Sequence, residues 1–269
     1  MVFLLLAVLA TASCSVSRFI PEDEYLLNDV KIHSSDKSVS TTQLQGYIQQ
    51  HPNSRWLSLV KVPMAPYLMS GRDSTKRINR FLQRIGEAPV IYSKDKALKT
   101  RETMENAVRN MGFLRAEVDL MEKRKGFKLN ALYDIHPGDR YQVVEYDRYI
   151  PNDRIRQLVD STEAEARVHA GMPFDLNELD AERSRINRLL RNNGYYLFNK
   201  EFIRFEADTT LGNNGVALTL FIDDYRFGQQ TARTPHRQFF INKVNLLSDS
   251  LHGNYIRRNV LGVKNVIQP

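Results

Sequence analysis

The clearest periodicity in the chain runs from Asp175 to Gly194. Leu179, Ile186, Leu189 and Leu190 fall on one apolar stripe at helical spacing. Asp175 stands at the N-cap position with Glu178 three residues on, the pair that a capping box uses. Gly194 falls where a helix ends in the left-handed conformation, which glycine adopts at little cost. From Tyr195 the chain becomes aromatic and β-branched (YYLFNKEFIRFEA), which predicts a strand. Leu211–Gly215 predicts a turn. Val216, Leu218, Leu220 and Ile222 then alternate along a second strand with one face more apolar.

The same grammar occurs earlier. Met104, Ala107, Val108 and Met111 share one helical face, and Gly112 ends the helix. Leu114, Ala116, Val118 and Leu120 alternate along a predicted strand. After the turn at Glu122–Gly126, Phe127, Leu129, Ala131, Tyr133 and Ile135 alternate back. The two copies meet in a common core, Arg-Asn-x-Gly-aromatic, in RNMGF (109–113) and RNNGY (191–195). Ahead of each long helix lies a Gly…Pro-apolar loop, Gly86…Pro89-Val90 and Gly171…Pro173-Phe174. Ahead of each loop lie a short helix (TTQLQGYIQQ, NDRIRQLV) and a strand (LLNDVKIHS, YQVVEYDRY). The pattern therefore predicts an α+β protein of tandem β-α-α-β-β modules.

On this reading the first module spans 25–138 and the second 139–224. A polar linker over roughly 224–238 leads to FFINKVNLL, the start of a third, incomplete module over 238–269. The first module carries an insertion near 52–85 that holds the single tryptophan, Trp56, and the apolar Pro63–Met69. Its hydrophobes are expected to be core, the usual place of an apolar cluster, with an exposed membrane- or partner-facing patch as the alternative. Ser74–Gly86 predicts a helix with Ile78, Phe81, Leu82 and Ile85 on one side.

Composition adds little until the N-terminus. The chain has 269 residues, 42% hydrophobic, with a formal charge of +7. The cations are interspersed with 31 acids, so a solvated mixed surface is expected rather than a dedicated anion-binding face. Residues 1–13 (MVFLLLAVLATAS) are too short for a bilayer span and have the length of a signal-peptide h-region. They end at the one cysteine, Cys14, and Thr11-Ala12-Ser13-Cys14 resembles a bacterial lipobox. Thr11 and the missing charged n-region depart from that pattern. Cys14 is therefore expected to carry a lipid anchor on a short tether over 14–24.

Candidate chemistry is sparse. No two of the six histidines lie three to five residues apart and no cysteine pair exists, so a zinc site of ordinary spacing is not expected. There is no nucleophile elbow and no P-loop. The carboxylate groups Glu22-Asp23-Glu24, Asp223-Asp224 and Glu178/Asp180/Glu182 lie on a tether, a strand end and a helix surface, not across a cleft. GYYLF has a faint likeness to an RNA-binding aromatic motif, but it directly follows a long helix, which that motif does not. No enzyme activity, cofactor, metal, small-molecule substrate or nucleic-acid partner is expected.

A repeated β-α-α-β-β unit behind an export signal resembles the POTRA domain of outer-membrane assembly and translocation proteins of the BamA/TamA type. The stretch GMPFDLNELDAERSRINRLLRNNGYYLFNKEFIRFEADTT, with RIGEAPVIY and DIHPGDRYQV, is similar to the lipoprotein TamL branch. Members of that family continue into a C-terminal β-barrel, which this stretch of sequence does not contain. The resemblance implies small mixed three-stranded sheets with two helices on one face, in which strand two is an open edge. It implies a lipid-anchored arm, mainly on the periplasmic face of the outer membrane of a Gram-negative envelope. Such an arm binds unfolded outer-membrane proteins or assembly partners by β-augmentation, in which a sheet edge accepts an added strand. The edges would be Leu114–Leu120 and Tyr195–Phe205, and the expected contact residues are Leu114, Ala116, Val118, Tyr196, Phe198 and Ile203. The alternative is a lipid-anchored scaffold that docks envelope proteins without handling clients, its edges packed against neighbouring units.

Overall fold

The computed structural model describes residues 16, 19–54, 64–70, 75–226, 233–243, 257–260 and 263–266. Cys14, the signal-like stretch 1–13, Trp56 and the last four residues of FFINKVNLL lie outside the described residues. The chain divides into two compact units: residues 1–142 with 173–176, and residues 143–172 with 177–269.

In the first unit, β1 (Leu26–Ser34), β2 (Glu117–Lys125) and β3 (Lys128–His136) form one sheet in the order β1-β3-β2. β1 runs parallel to β3, and β2 pairs antiparallel with β3 from Glu117 opposite His136 to Lys125 opposite Lys128. The alternation expected on β3 is present: Leu129, Ala131, Tyr133 and Ile135 are buried. Tyr133 and Ile135 pack with α1 (Thr41–Leu44, continued by a 3-10 turn at Gln45–Tyr47) and α4 (Lys94–Asn110), while Leu129 and Ala131 cluster with Leu27. Leu44, Met104, Val108, Phe113, Val118 and Ile135 form the centre of this core. Between α1 and α4 lie α2 (Ala65–Met69) and α3 (Arg77–Ile85).

The second unit repeats the plan. β4 (Gln142–Tyr149), β5 (Ile203–Asp208) and β6 (Gly215–Ile222) are ordered β4-β6-β5. The helices are α5 (Asp153–Asp160) and α6 (Leu176–Asn192). Ile155, Val159, Ile186, Leu190, Tyr195, Phe198, Ile203, Leu220 and Ile222 pack into one core. Asn152 caps α5, its side-chain oxygen accepting from the Arg154 and Ile155 amides. Two short antiparallel pairs follow, β7 (Tyr225–Arg226) with β8 (Arg233–Thr234) and β9 (Arg257–Val260) with β10 (Val263–Val266). The α+β class and the β-α-α-β-β order read from the sequence are those of the structure.

The repeated Arg-Asn-x-Gly-aromatic stretch is a helix stop. Gly194 has φ 88°, its amide donates to the Arg191 carbonyl at 3.2 Å, and the Tyr195 amide donates to the Leu190 carbonyl at 3.1 Å. These two bonds define a Schellman motif, and Tyr195 and Leu190 supply its hydrophobic contact inside the core. Gly112 has φ 95° and donates to the Arg109 carbonyl at 3.0 Å, with Phe113 and Val108 in the same core.

The Gly…Pro-apolar loops also have a common use. In the first unit the Leu27 amide donates to the Val90 carbonyl and the Tyr92 amide to the Tyr25 carbonyl, so residues 90–92 line the start of β1. Gln50 and Asn53 hold that loop: Gln50 Oε1 accepts from the Ser93 amide at 3.0 Å, and the buried Asn53 side chain bonds both Val90 N–H and the Ala88 carbonyl. In the second unit Val143 exchanges backbone bonds with Gly171 and Met172.

Three expectations are corrected. The stretch 14–24 is not a free tether throughout, because Val16 and Ile20 are buried with Leu26 and Met64. The insertion's apolar segment divides: Met64 is buried and Leu68 packs beside it, but Met69, Ile78, Phe81 and Ile85 are exposed. The expected linker is partly docked. The His236 ring packs on Phe198 and Phe202 at centroid distances of 4.8 and 4.6 Å, and the Phe239 amide donates to the Gly194 carbonyl at 2.7 Å.

Candidate binding edges

Strand two lies at the outside of each sheet, as β2 in the order β1-β3-β2 and β5 in the order β4-β6-β5. A strand in that place has one line of backbone groups unused by its own sheet. The strands begin later than the sequence suggests. Leu114 and Ala116 lie in the turn before β2, and Tyr196 and Phe198 in the turn before β5. The reason is the left-handed glycine stop: after each glycine the aromatic residue enters the core, and the chain needs a further turn to reach the sheet edge. Of the expected contact residues only Val118 and Ile203 are on the strands. Ala116, Val118, Phe198 and Ile203 are buried, Leu114 is half-buried, and Tyr196 is 67% exposed.

The start of each edge is covered by side chains from the preceding helix. On α4, Glu105 and Arg109 form an ion pair at 2.7 Å. The Glu105 carboxylate accepts from the Val118 amide at 3.4 Å, and Arg109 Nε donates to the Ala116 carbonyl at 3.2 Å. Acceptor and donor thus stand where a neighbouring strand would place a carbonyl and an amide. On α6, Arg183 donates through Nε to the Ile203 carbonyl at 2.7 Å and through Nη2 to the Lys200 carbonyl at 3.0 Å. Asp180 holds that guanidinium at 3.1 Å and takes Lys200 Nζ at 2.9 Å. Hydrogen bonding by Lys200 is the main reason the Asp180 carboxyl titrates below its ordinary value. Glu105 and Arg183 were not singled out from the sequence; the signal was an acid and an arginine at i, i+4 just ahead of the helix stop in the first unit and at i, i+3 within the first half of α6 in the second.

Beyond the covered start, β2 presents Asp119, Met121 and Lys123 to solvent and β5 presents Glu206, Ala207 and Asp208. Glu122 turns back, accepting from Tyr92 Oη and Lys94 Nζ at 2.5 Å each. Burial pushes its pKa up, but the bonds from Lys94 and Tyr92 together outweigh this and leave it below the ordinary carboxylate value. Burial is also the first cause that raises the Tyr92 hydroxyl well above its usual range. Arg204 on β5 bonds Asp223 at 2.8 Å and lies 3.9 Å over the Phe221 ring.

The described residues also form concave sites, one in each unit. Val30, Ile32, Gln45, Ile48 and His51 are among the residues that line a groove of 420 Å³ in the first unit, beside the later half of β1. In the second unit Tyr195, Phe198, Tyr225, His236 and Phe239 are among the residues around a mostly aromatic cavity of 310 Å³. Neither was expected from the sequence.

The acids expected on the surface of α6 include one that is buried. Glu182 and Arg185 form a bidentate pair at 2.7 and 2.8 Å, with side chains 2% and 10% exposed. The Arg167 amide donates to Glu182 at 3.0 Å and Arg185 donates to Thr162 Oγ1 at 2.8 Å. Hydrogen bonding to the Glu182 carboxylate is the main reason the guanidinium holds its proton more tightly than usual. The pair ties α6 to residues 162–167 and faces no cleft. Among the described residues, no group of three or more His, Cys, Asp or Glu side chains is arranged to hold a metal ion. No helix there is long and apolar enough to cross a membrane.

The structure thus defines a class: small α+β modules, each with a three-stranded sheet in which strand two is outermost. No family model matches the sequence, and no curated protein matches it. Solved structures similar to this chain include POTRA domains of BamA and Omp85. The chain is similar to POTRA domains 3–5 of BamA from Haemophilus influenzae, with 12% identity over 92% of this chain and 97% of that one, at a TM-score of 0.38. It is similar to POTRA domains 1–3 of the periplasmic domain of Omp85 from Anabaena, with 10% identity over 93% and 97%, at 0.35. BamA from Haemophilus ducreyi lacking POTRA domains 1–3 aligns at 16% identity over 73% of this chain and 29% of that one, at 0.37.

Proposed function

We propose that this chain is a periplasmic POTRA-type arm of an outer-membrane assembly factor, held to the membrane through a lipid on Cys14. It receives extended client segments along β2 and β5. The observation that carries this reading is the repeated sheet with strand two outermost in both units. Main-chain bonding along such an edge supplies affinity with little dependence on client sequence, which suits a receiver of many polypeptides. The usable length starts after the side-chain cover, at about Asp119 on β2 and Arg204 on β5. The charged residues along both edges keep the free arm from pairing with itself.

The scaffold reading, in which fixed envelope partners dock and no client is handled, is favoured by that same cover. Glu105, Arg109 and Arg183 already satisfy the first outward groups of each edge. A photo-crosslinker placed at Met121 and at Glu206 in growing cells separates the two. Capture of nascent outer-membrane barrel polypeptides is the expected result. Capture of fixed partners alone sinks client handling, and capture of nothing at either position sinks the edges as binding sites. Acyl labelling of the wild type that disappears in Cys14→Ser is expected for the anchor; absence of labelling in the wild type removes it.

A further inference from the structure

The helix α3, RINRFLQRI, is amphipathic, but its apolar ridge faces out. Ile78, Phe81 and Ile85 are 74%, 62% and 54% exposed. At about 100° per residue these three share one arc, and Arg77 and Arg84 flank it on one side. The other side of the helix meets the protein: Asn79, Leu82 and Gln83 are half-buried. The C-terminal end of α3 is fixed on α2. A Cβ at Gly86 would lie 2.3 Å from the Tyr67 backbone nitrogen, so only glycine permits that approach. The outward ridge is therefore the direction in which the fold holds the helix.

We propose that this outer face docks on an anionic lipid bilayer. Charge decides among possible occupants. From Ser74 to Gly86 the sequence has Lys76, Arg77, Arg80 and Arg84 and no acid. An apolar ridge with cations along its border is what a helix lying in the plane of an anionic interface requires. The ridge enters the acyl boundary, and the arginine stems run along it with their guanidinium groups at headgroup level. A protein groove of mixed charge would satisfy the ridge but gives no reason for Arg77 and Arg84 along its border with no acid on the helix. This docking does not depend on client handling by β2 and β5.

The test uses the full chain with Cys14→Ser and a single new cysteine, Ile85→Cys, carrying an environment-sensitive dye. A second protein carries the dye at Glu206→Cys. Vesicles of phosphatidylethanolamine and phosphatidylglycerol are expected to shift the dye at 85 to the blue and leave the dye at 206 unchanged. Phosphatidylcholine vesicles are expected to produce little shift at 85. Arg77→Gln with Arg84→Gln is expected to weaken partitioning about thirtyfold, at roughly a fivefold loss per cation. Arg77→Lys with Arg84→Lys is expected to retain it and shows that the fold survives substitution there. No shift at 85 with anionic vesicles overturns the proposal. So does a blue dye without vesicles: if the signal rises with protein concentration a second copy covers the face, and if it does not the chain covers itself.

Discussion

Replacing Gly112 with alanine tests the packing logic of the first unit. The Gly112 φ of 95° alone costs an alanine about 1–2 kcal/mol. The larger effect is steric. An added Cβ would lie 1.9 Å from the Phe174 carbonyl oxygen, a backbone atom that cannot swing aside. The neighbouring bonds depend on the same placement: the Tyr141 amide donates to the Gly112 carbonyl, and the Phe174 amide to the Tyr141 carbonyl, each at 2.9 Å. Displacing Phe174 by more than an ångström loses these bonds, at about 1 kcal/mol apiece. Gly112→Ala is therefore expected to cost about 3–4 kcal/mol. Gly126→Ala is the control. Its φ is 56°, but nothing lies within 4 Å of its added Cβ, so only the backbone strain of about 1 kcal/mol applies. Urea unfolding of both variants, followed by circular dichroism, measures the difference. Amide exchange at Tyr141 and Phe174 is expected to accelerate in Gly112→Ala alone. Equal costs for the two variants would refute the close approach as the reason for the glycine.

Two further outcomes follow from the ion pairs. Glu182→Ala leaves Arg185 buried without its partner and is expected to cost about 3–5 kcal/mol, whereas Glu182→Leu with Arg185→Met is expected to recover most of that loss. A double-mutant cycle in urea measures it, and a single-variant cost below about 1 kcal/mol contradicts the burial. Glu122 titrates below 4.5, so its bonds to Tyr92 and Lys94 stabilise the fold above that pH and weaken as pH falls through the lower folded value. Glu122→Gln is accordingly expected to lose about 1–2 kcal/mol near pH 7 and to match the wild type in strong acid. A wild-type advantage that persists unchanged in strong acid argues against the charged pair as its source.

Periodicity made the repeat legible because each module buries a helix stripe against an alternating strand. Met104, Val108, Ile135 and, in the second copy, Ile186, Leu190 and Leu220 all stand where spacing puts them. The strand starts were not legible. An aromatic run after a glycine looks like a strand, but Tyr195 closes a Schellman motif first, and Phe113 after the left-handed Gly112 likewise enters the core. Periodicity also identifies a face without saying what covers it. Ile78, Phe81 and Ile85 have the spacing of a core stripe and face outward, while Glu182 has the look of a solvated acid and is buried. Gln50 and Asn53 gave no pattern at all, because their partners are backbone groups far along the chain.

The two edges sharpen what the repeated glycine stretch does. The turn that follows each glycine carries the chain from the end of a helix to the outermost strand of a sheet. It therefore sets the distance from the helix's last turns to the first open backbone groups. In the first unit Glu105 and Arg109, from the last two turns of α4, reach across that distance, and in the second Arg183 reaches the edge from the middle of α6. On the proposed reading, a strand added to β2 or β5 would either begin beyond these side chains or displace charged hydrogen bonds to enter the covered stretch. The side chains of the preceding helix would therefore limit where augmentation begins in both units.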